Sequence, residues 1–253
     1  MTIETEGILV AVLVFLRTGA FFLGIPLFAG EMVPVRVRVG FGLLLALMLN
    51  EFAPADLELA NHFVGIILLA MNEICIGLMM AIVIRMIFFA LEFAGHVISY
   101  EIGLMASSSV NPLLGSSDST ITSLLYYFGL LLFFVTGIHY DVLRALAGSF
   151  EAMPIGKFLT STNPVDDFVR DTSQIFIIGT LMAAPFIALN FLVNISFAVL
   201  GKAVPKMNVF LTSFAVRILC GLLLLVSCTL LITAYVIEAG RQSAGKALQI
   251  VSQ

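Results

Sequence analysis

Charged residues are scarce in this chain, and tryptophan is absent. Only 11% of the 253 positions are Asp, Glu, Lys or Arg, whereas 60% are hydrophobic, and the mean hydropathy is +1.12. Ordinary globular chains are about half apolar and about a quarter charged. A soluble domain of this size could not bury so much apolar surface. We therefore expect the chain to be surrounded by lipid or by partner proteins.

Cysteine and histidine are also few, and neither forms a catalytic or metal-binding pattern. The three cysteines (Cys75, Cys220 and Cys228) lie inside apolar runs without a Cys-x-x-Cys pair, so we expect buried free thiols. The chain has no HExxH, GxSxG or G-x-x-x-x-G-K-[ST] pattern, which are the signatures of metalloproteases, serine hydrolases and phosphate-binding loops. No polybasic stretch points to nucleic acid. The sequence predicts a non-enzyme with no metal site and no cofactor.

Long apolar segments are what the chain has in abundance. A bilayer core of ~30 Å needs ~20 apolar residues in a helix, and most of the segments reach or approach that length. The second is too short to span alone and suits half of a helical hairpin. The segments are Ile8–Phe28, Val39–Leu49, Phe63–Leu91, Thr120–Ile138, Ser173–Leu200 and Val209–Ile237. They predict an all-α integral membrane protein.

Four charged residues interrupt these apolar segments: Arg17, Glu73, Arg85 and Arg217. A charge at the centre of a bilayer costs ~2.5–3.5 kcal/mol on insertion scales, so such groups usually face a partner or a wet cavity. We expect these four to hold subunits together through interhelical pairs, with a lumen-facing role as the alternative.

A short pattern occurs twice between apolar segments, as Gly30-Glu-Met-Val-Pro34 and Gly201-Lys-Ala-Val-Pro205. Proline ends or starts a helix because it lacks the N–H donor and clashes with the preceding turn. Pro34 and Pro205 are therefore predicted structural positions. Two similar hairpins or chance would both explain the echo. The distribution of Lys and Arg leaves the membrane orientation open.

Five stretches occur along the chain in this order: FLRTGAFFLGIPLFAGEMVPVRVRVG (15–40), NEICIG (72–77), GHVISYEIGLMASSSVNP (95–112), GIHYDVLRALAGSFEAMPIG (137–156) and PFIALNFLVNISFAVLGKAVPKMNVF (185–210). Together they resemble the FliR family of flagellar biosynthetic proteins, whose counterpart in virulence injectisomes is SctT. The third stretch is the most specific of the five.

The resemblance implies a subunit of an export gate and no catalysis. It implies helical hairpins that assemble with FliP-family and FliQ-family subunits into a helical gate, with FliP-like and FliQ-like units joined in this one chain. It also implies contact with a switch protein of the FlhB/SctU family, membrane lipid around the assembly and unfolded secreted proteins as cargo. The location implied is the bacterial inner membrane at the flagellar basal body.

The resemblance further implies a pore plug at residues 105–120, called the plug segment below. Pro112 and Gly115 prevent a continuous helix there, and six serines leave the strip without a hydrophobic anchor, so it could occupy a wet lumen. Glu101 and Asn111 are expected to orient it by hydrogen bonds. An ordinary exposed connector is the alternative. The predicted plug and gating residues are Met105, Ser107, Ser108, Ser109, Val110, Asn111, Pro112, Leu113, Leu114 and Gly115.

Two other functions stay open on the sequence. An injectisome SctT subunit would have the same fold in a different machine. A self-contained solute transporter would use the Gly-x-x-Val-Pro echo as its repeats and the charges within the apolar segments to bind substrate or protons. A transporter should bind its solute as an isolated chain, whereas a gate subunit should need its partners for stability.

Overall fold

Helices account for nearly all of the chain that the structure describes. The computed structural model describes residues 3–26, 33–55, 62–105, 120–157, 164–204 and 208–252. This part of the chain has eight helices and no strand, apart from one isolated bridge between Ala55 and Ile155. The helices are α1 (Ile3–Gly24), α2 (Val35–Asn50), α3 (Phe63–Ile102), α4 (Thr120–Val135), α5 (Ile138–Ala152), α6 (Pro164–Ala203), α7 (Val209–Ser227) and α8 (Thr229–Ser252). The prediction of an all-α protein is confirmed.

Three of these helices are long and apolar enough to cross a membrane alone. They are Glu6–Gly24 within α1, all of α3, and Thr172–Ala203 within α6. Two bent pairs pass the same test together: α4 with α5, which meet at 71°, and α7 with α8, which meet at 53°. By length and composition the described chain offers three to five spans, as an integral membrane protein should.

Local sequence explains several helix ends. Pro34 directly precedes α2, where a residue without an N–H donor loses nothing. Asn208 caps α7, because its Oδ1 accepts a hydrogen bond from the Leu211 N–H at 3.3 Å. Pro205 and residues 30–32 lie outside the described residues. The repeat suggested by the Gly-x-x-Val-Pro echo therefore stays a prediction.

The chain divides into two compact units, and unit 1 combines three separated stretches. It comprises Met1–Ile87, Phe133–Asp171 and Ala239–Gln253. Within it α1 packs against α2, where the rings of Phe22 and Phe41 meet edge to face with centroids 5.4 Å apart. Its buried side chains come from helices distant in sequence and include Phe21, Ile76, Met80, Phe150 and Ile155.

Unit 2 comprises Phe88–Leu132 and Thr172–Glu238. Small residues bring its helices close together, as the composition of the stretch 92–103 predicts. A Cβ added to Gly95 would lie 2.6 Å from the Cα of Thr122, so α3 and α4 are in near backbone contact there. The unit's buried side chains include Leu91, Ile98, Ile102, Leu125 and Phe186.

The cysteines differ from expectation in one respect. All three are free, as predicted, but Cys75 is exposed and Cys220 and Cys228 are half-buried. The described residues leave the Cys75 thiol uncovered and cover the other two only in part. Full burial of these thiols would therefore require further contacts, such as lipid or a partner.

Candidate functional site

Most of the predicted plug segment lies outside the residues that the structure describes. Ser107, Ser108, Ser109, Val110, Asn111, Pro112, Leu113, Leu114 and Gly115 all fall within 106–119. Met105 is described; it is half-buried and has an interaction partner. The structure therefore describes the residues that directly precede the plug segment, at the end of α3.

Helix α3 ends in a tight, hydrogen-bonded turn just before Met105. Gly103 has φ +89° and donates its N–H to the carbonyl of Tyr100 at 3.0 Å, while the Leu104 N–H reaches the carbonyl of Ser99, also at 3.0 Å. This pair of bonds is the Schellman motif, which needs a left-handed residue and so favours glycine. The sequence thus stops the helix at a defined residue, two positions before the plug segment starts.

The same turn packs tightly on helix α7. A Cβ on Gly103 would lie 2.9 Å from Cε2 of Phe214, and a Cβ on Gly221 would lie 2.5 Å from Cγ1 of Ile102. Phe214 and Gly221 are seven residues apart, two turns along one face of α7. Close packing at both of these positions leaves the end of α3 little room to shift relative to α7.

Polar side chains of three helices form a continuous row beside this turn. Asn190 of α6 donates its amide to Oε2 of Glu101 on α3 at 2.5 Å. Asn194, one turn further along α6, donates to Oδ1 of Asn190 at 3.3 Å. Arg217 of α7 donates from Nη2 to Oδ1 of Asn194 at 2.7 Å. These four residues are called the polar relay below.

Two members of the polar relay, Asn190 and Asn194, are not among the residues predicted from the sequence. Arg217 is predicted as a charge in an apolar segment and Glu101 as a residue that orients the plug segment. The available signal was two asparagines four residues apart in the apolar run PFIALNFLVNISFAVL, where an amide is costly unless it finds a partner.

A second polar cluster, called the buried charge cluster, lies inside unit 1. Arg17 and Glu73 have no solvent exposure, and Nε of the arginine lies 2.6 Å from Oε2 of the carboxylate. The guanidinium also donates to the carbonyl of Ser149 at 3.0 Å and, from both terminal nitrogens, to that of Met153 at 3.1 Å. Its carbon lies 4.4 Å from the ring centroid of Phe150.

The buried charge cluster joins the C-terminal end of α5 to α1 and α3. Carbonyls at the end of a helix lack intrahelical donors and carry partial negative charge, so a guanidinium satisfies them well. Asn72, next to Glu73, adds a bond from its amide to the carbonyl of Lys157 at 2.8 Å. Because this chain encloses both charges, the cluster stabilises the subunit itself, and an inter-subunit role for Arg17 and Glu73 stays a prediction.

The remaining predicted residues are spread over the chain. Arg85 is half-buried on α3 and has an interaction partner. Pro34 starts α2 in unit 1, whereas Arg217 belongs to the polar relay of unit 2. The described residues contain no group of three or more His, Cys, Asp or Glu arranged to hold a metal ion.

Comparison with known proteins places this chain in a family. The family described as "Bacterial export proteins, family 1" matches residues 8–242. The chain is 29% identical over 221 residues to the flagellar biosynthetic protein FliR of Caulobacter vibrioides, covering 85% of this chain and 86% of that protein. It is 28% identical over 222 residues to FliR of Bacillus subtilis, covering 85% and 84%.

A protein named for translocation is also similar. Yop proteins translocation protein T of Yersinia pestis is 31% identical over 166 residues, which cover 64% of each chain. The resemblance to the FliR and SctT proteins is thereby confirmed. Because the family match extends over most of the sequence, this chain belongs to family 1 of the bacterial export proteins.

Proposed function

We propose that this chain is a non-enzymatic core subunit of the flagellar type III protein export gate in the bacterial inner membrane. Membership of the export family makes it a component of a type III export apparatus. The observation that carries the flagellar assignment is the similarity to the FliR proteins of two bacteria over 85% of this chain. Apolar helices long enough to span a membrane support the location.

In this proposal the chain lines a conduit for unfolded export substrates, and the plug segment closes it. The structure of the turn that precedes the plug segment supports that role. Its N-terminal end follows a Schellman turn that is packed against α7 and flanked by the polar relay. A segment that blocks a pore and is displaced by cargo needs a firmly anchored end. It also needs a sequence that does not adhere to the pore wall or to the cargo, and small, uncharged serines suit that need.

The proposed partners are FliP-family and FliQ-family subunits, together with a switch protein of the FlhB/SctU family. Incomplete burial of the long helices supports a need for partners or lipid. In the apolar window of Thr172–Ala203 only 22% of the residues are buried within this chain. Large side chains such as Phe191, Leu192 and Val199 remain more than 60% exposed on it. That one chain combines a FliP-like and a FliQ-like unit stays a prediction.

Native mass spectrometry of a tagged copy, co-expressed with the FliP-like and FliQ-like proteins of the same source, tests the assignment. We expect a defined hetero-oligomer containing this chain. A stable monomer or homodimer that ignores those proteins would contradict the proposal.

Deleting Ser107–Ser119 tests the plug. The deletion should leave assembly intact and let ions leak through the reconstituted complex. Deletion of residues 158–163, in a different connection between helices, serves as the control and should not leak. Equal, low leak from both deletions in assembled complexes would show that residues 105–120 are an ordinary connector.

An injectisome subunit is the second candidate, favoured by the similarity to the Yersinia pestis translocation protein. Deleting the gene in its source organism distinguishes the flagellar assignment from the injectisome assignment. Loss of the flagellar filament with intact secretion of other type III substrates supports the flagellar role, and the reverse supports the injectisome. Membership of the export family argues against the solute-transporter alternative.

A further inference from the structure

We propose that one face of α2 is a binding site for an anionic phospholipid, in which Arg36 holds the phosphate and an apolar stripe beside it holds an acyl chain. The inference goes beyond the proposed function, since it requires only that this integral membrane protein lies in a bilayer. It concerns a helix whose side chains the described chain leaves largely uncovered, because only Gly42 and Ala46 of α2 are buried.

The apolar stripe lies on the same face of α2 as Arg36. Residues three, four, seven and eleven positions further along a helix share a face with the first residue, and here they are Val39, Gly40, Leu43 and Leu47. The three large side chains are 48%, 47% and 60% exposed. A Cβ added to Gly40 would meet nothing within 4 Å, so the stripe has an open depression between Val39 and Leu43.

The length of the apolar stripe matches one leaflet of a bilayer. Arg36 and Leu47 are eleven residues apart, which is ~16 Å along a helix, and half of a hydrocarbon core of ~30 Å is ~15 Å. Helical side chains lean toward the N-terminus of their helix, so the Arg36 side chain extends away from the stripe, as arginines at a membrane interface do. The phosphate and one acyl chain of a single lipid therefore fit the arginine and the stripe together.

The charges around Arg36 favour an anionic headgroup over a neutral one. Arg38 adds a second positive charge, and its Nε donates to the carbonyl of Val33 at 2.9 Å. Helix α2 has no acidic residue in its first turn, and α1, which packs against α2, has none after Glu6. Arg36 is exposed and belongs to none of the ion pairs within the described residues. A lipid phosphate without a neighbouring cationic group would compensate this charge.

Site-resolved labelling by a photoactivatable lipid tests the proposal. The purified hetero-oligomer is reconstituted in phosphatidylcholine vesicles that contain a small fraction of phosphatidylglycerol with a diazirine in its acyl chain. After illumination and digestion, mass spectrometry measures the labelled fraction of the peptide that contains Val39, Leu43 and Leu47. The same diazirine on phosphatidylcholine is the neutral probe, and the starting complex should be labelled more by the anionic probe than by the neutral one.

Variants of Arg36 separate phosphate binding from simple contact with lipid. Arg36→Gln should lower labelling by the anionic probe about fivefold, the factor that one arginine contributes near an anionic surface, and should leave labelling by the neutral probe unchanged. Arg36→Lys should retain most of the labelling, because a lysine also binds phosphate. Arg144→Gln is the matched control, since the Arg144 side chain is 83% exposed on α5; it should change neither signal.

The outcomes also separate this inference from the proposed function. Equal labelling of R36Q and R144Q by the anionic probe, or equal labelling of the starting complex by both probes, would overturn the lipid site. If R36Q assembles poorly with the FliP-like and FliQ-like proteins while Arg36→Lys assembles normally, the group opposite Arg36 belongs to a partner protein, and the inference is also wrong. If the unchanged chain forms no complex, the proposed function fails, and labelling of the chain alone in the same vesicles decides the lipid site.

Discussion

At the scale of single residues, the buried charge cluster is the costliest feature of unit 1. Taking an arginine and a carboxylate out of water costs several kcal/mol per ion, and the pair compensates only if the remaining donors are satisfied. Here the guanidinium of Arg17 is satisfied by Glu73 and by the carbonyls of Ser149 and Met153. The cluster therefore favours one arrangement of α1, α3 and α5, since any other leaves a charge unpaired.

Removing one partner should consequently be more harmful than removing both. Glu73→Ala leaves the Arg17 guanidinium buried without its anion and should lower the free energy of unfolding by ~3–5 kcal/mol, whereas Arg17→Met with Glu73→Leu should lose less. The midpoint of unfolding in a denaturant titration of the purified complex measures this.

Arg144→Ala is the matched control. Its ion pair with Asp141 spans 3.8 Å, and the Arg144 side chain is 83% exposed; exposed pairs contribute at most ~1 kcal/mol. If E73A and R144A shifted the midpoint equally, the buried charge cluster would not stabilise the fold more than an exposed ion pair does.

At the scale of elements, helices α1 and α3 approach so closely that only glycine fits at the crossing. A Cβ on Gly77 would collide with the backbone carbonyl of Arg17 and come within 3.1 Å of both Cβ of Ala20 and the amide nitrogen of Phe21. This close approach lets Arg17 reach Glu73, one turn before Gly77 on α3.

Gly77→Ala should therefore separate the two helices and lower the free energy of unfolding by ~1–3 kcal/mol, the usual cost of overpacking. Gly19→Ala is the control on α1, because a Cβ there meets nothing within 4 Å; it should be neutral or stabilise by up to ~1 kcal/mol through helix propensity. Thermal unfolding of the two variants, side by side, measures the difference. Identical melting temperatures would mean that the helices do not cross at Gly77.

Sequence predicts the elements of this protein better than their contacts. Apolar runs predict where membrane-length helices lie, and proline predicts the start of α2 at Pro34. The last turns of α3 were harder to predict, because the stretch from Glu92 to Gly103 is rich in small and polar residues whose packing partner, such as Thr122 for Gly95, lies on another helix. The bend at Gly137 between α4 and α5 also lies inside one predicted apolar segment.

The partner of each buried charge could not be predicted from the sequence either, because it lies on another helix. Arg17 and Glu73 are 56 residues apart, and Arg85, on the same helix as Glu73, would have been an equally reasonable partner by composition. The polar relay depends on two amides that carry no charge and so leave a weak signal in a hydrophobicity profile. Local patterns predict which groups need partners, and only tertiary packing decides which partners they obtain.

At the scale of the whole molecule, both compact units are assembled from distant parts of the chain. Residues 1–105 contribute Arg17 and Glu73 to unit 1 and Glu101 to unit 2, while residues 120–253 contribute Ser149 and Asn190 respectively. Neither unit corresponds to one continuous stretch of sequence, so the two units should fold only when both halves of the chain are present.

Producing residues 1–105 and 120–253 as two separate chains tests that expectation, because it leaves out only residues 106–119, which lie outside the described part of the chain. Fragment 1–105 alone would deprive the Arg17 guanidinium of its bonds to Ser149 and Met153 and leave Glu101 without Asn190. It should be degraded by protease when expressed alone, and co-expression with fragment 120–253 should protect it and allow the two to be purified together.

Arg17→Ala in the first fragment should lower recovery of the second, because it removes the bonds to α5, whereas Arg144→Ala in the second should not. A fragment 1–105 that resists protease equally well alone would mean that the first half folds independently, and the contacts between halves would then be secondary to packing within each half.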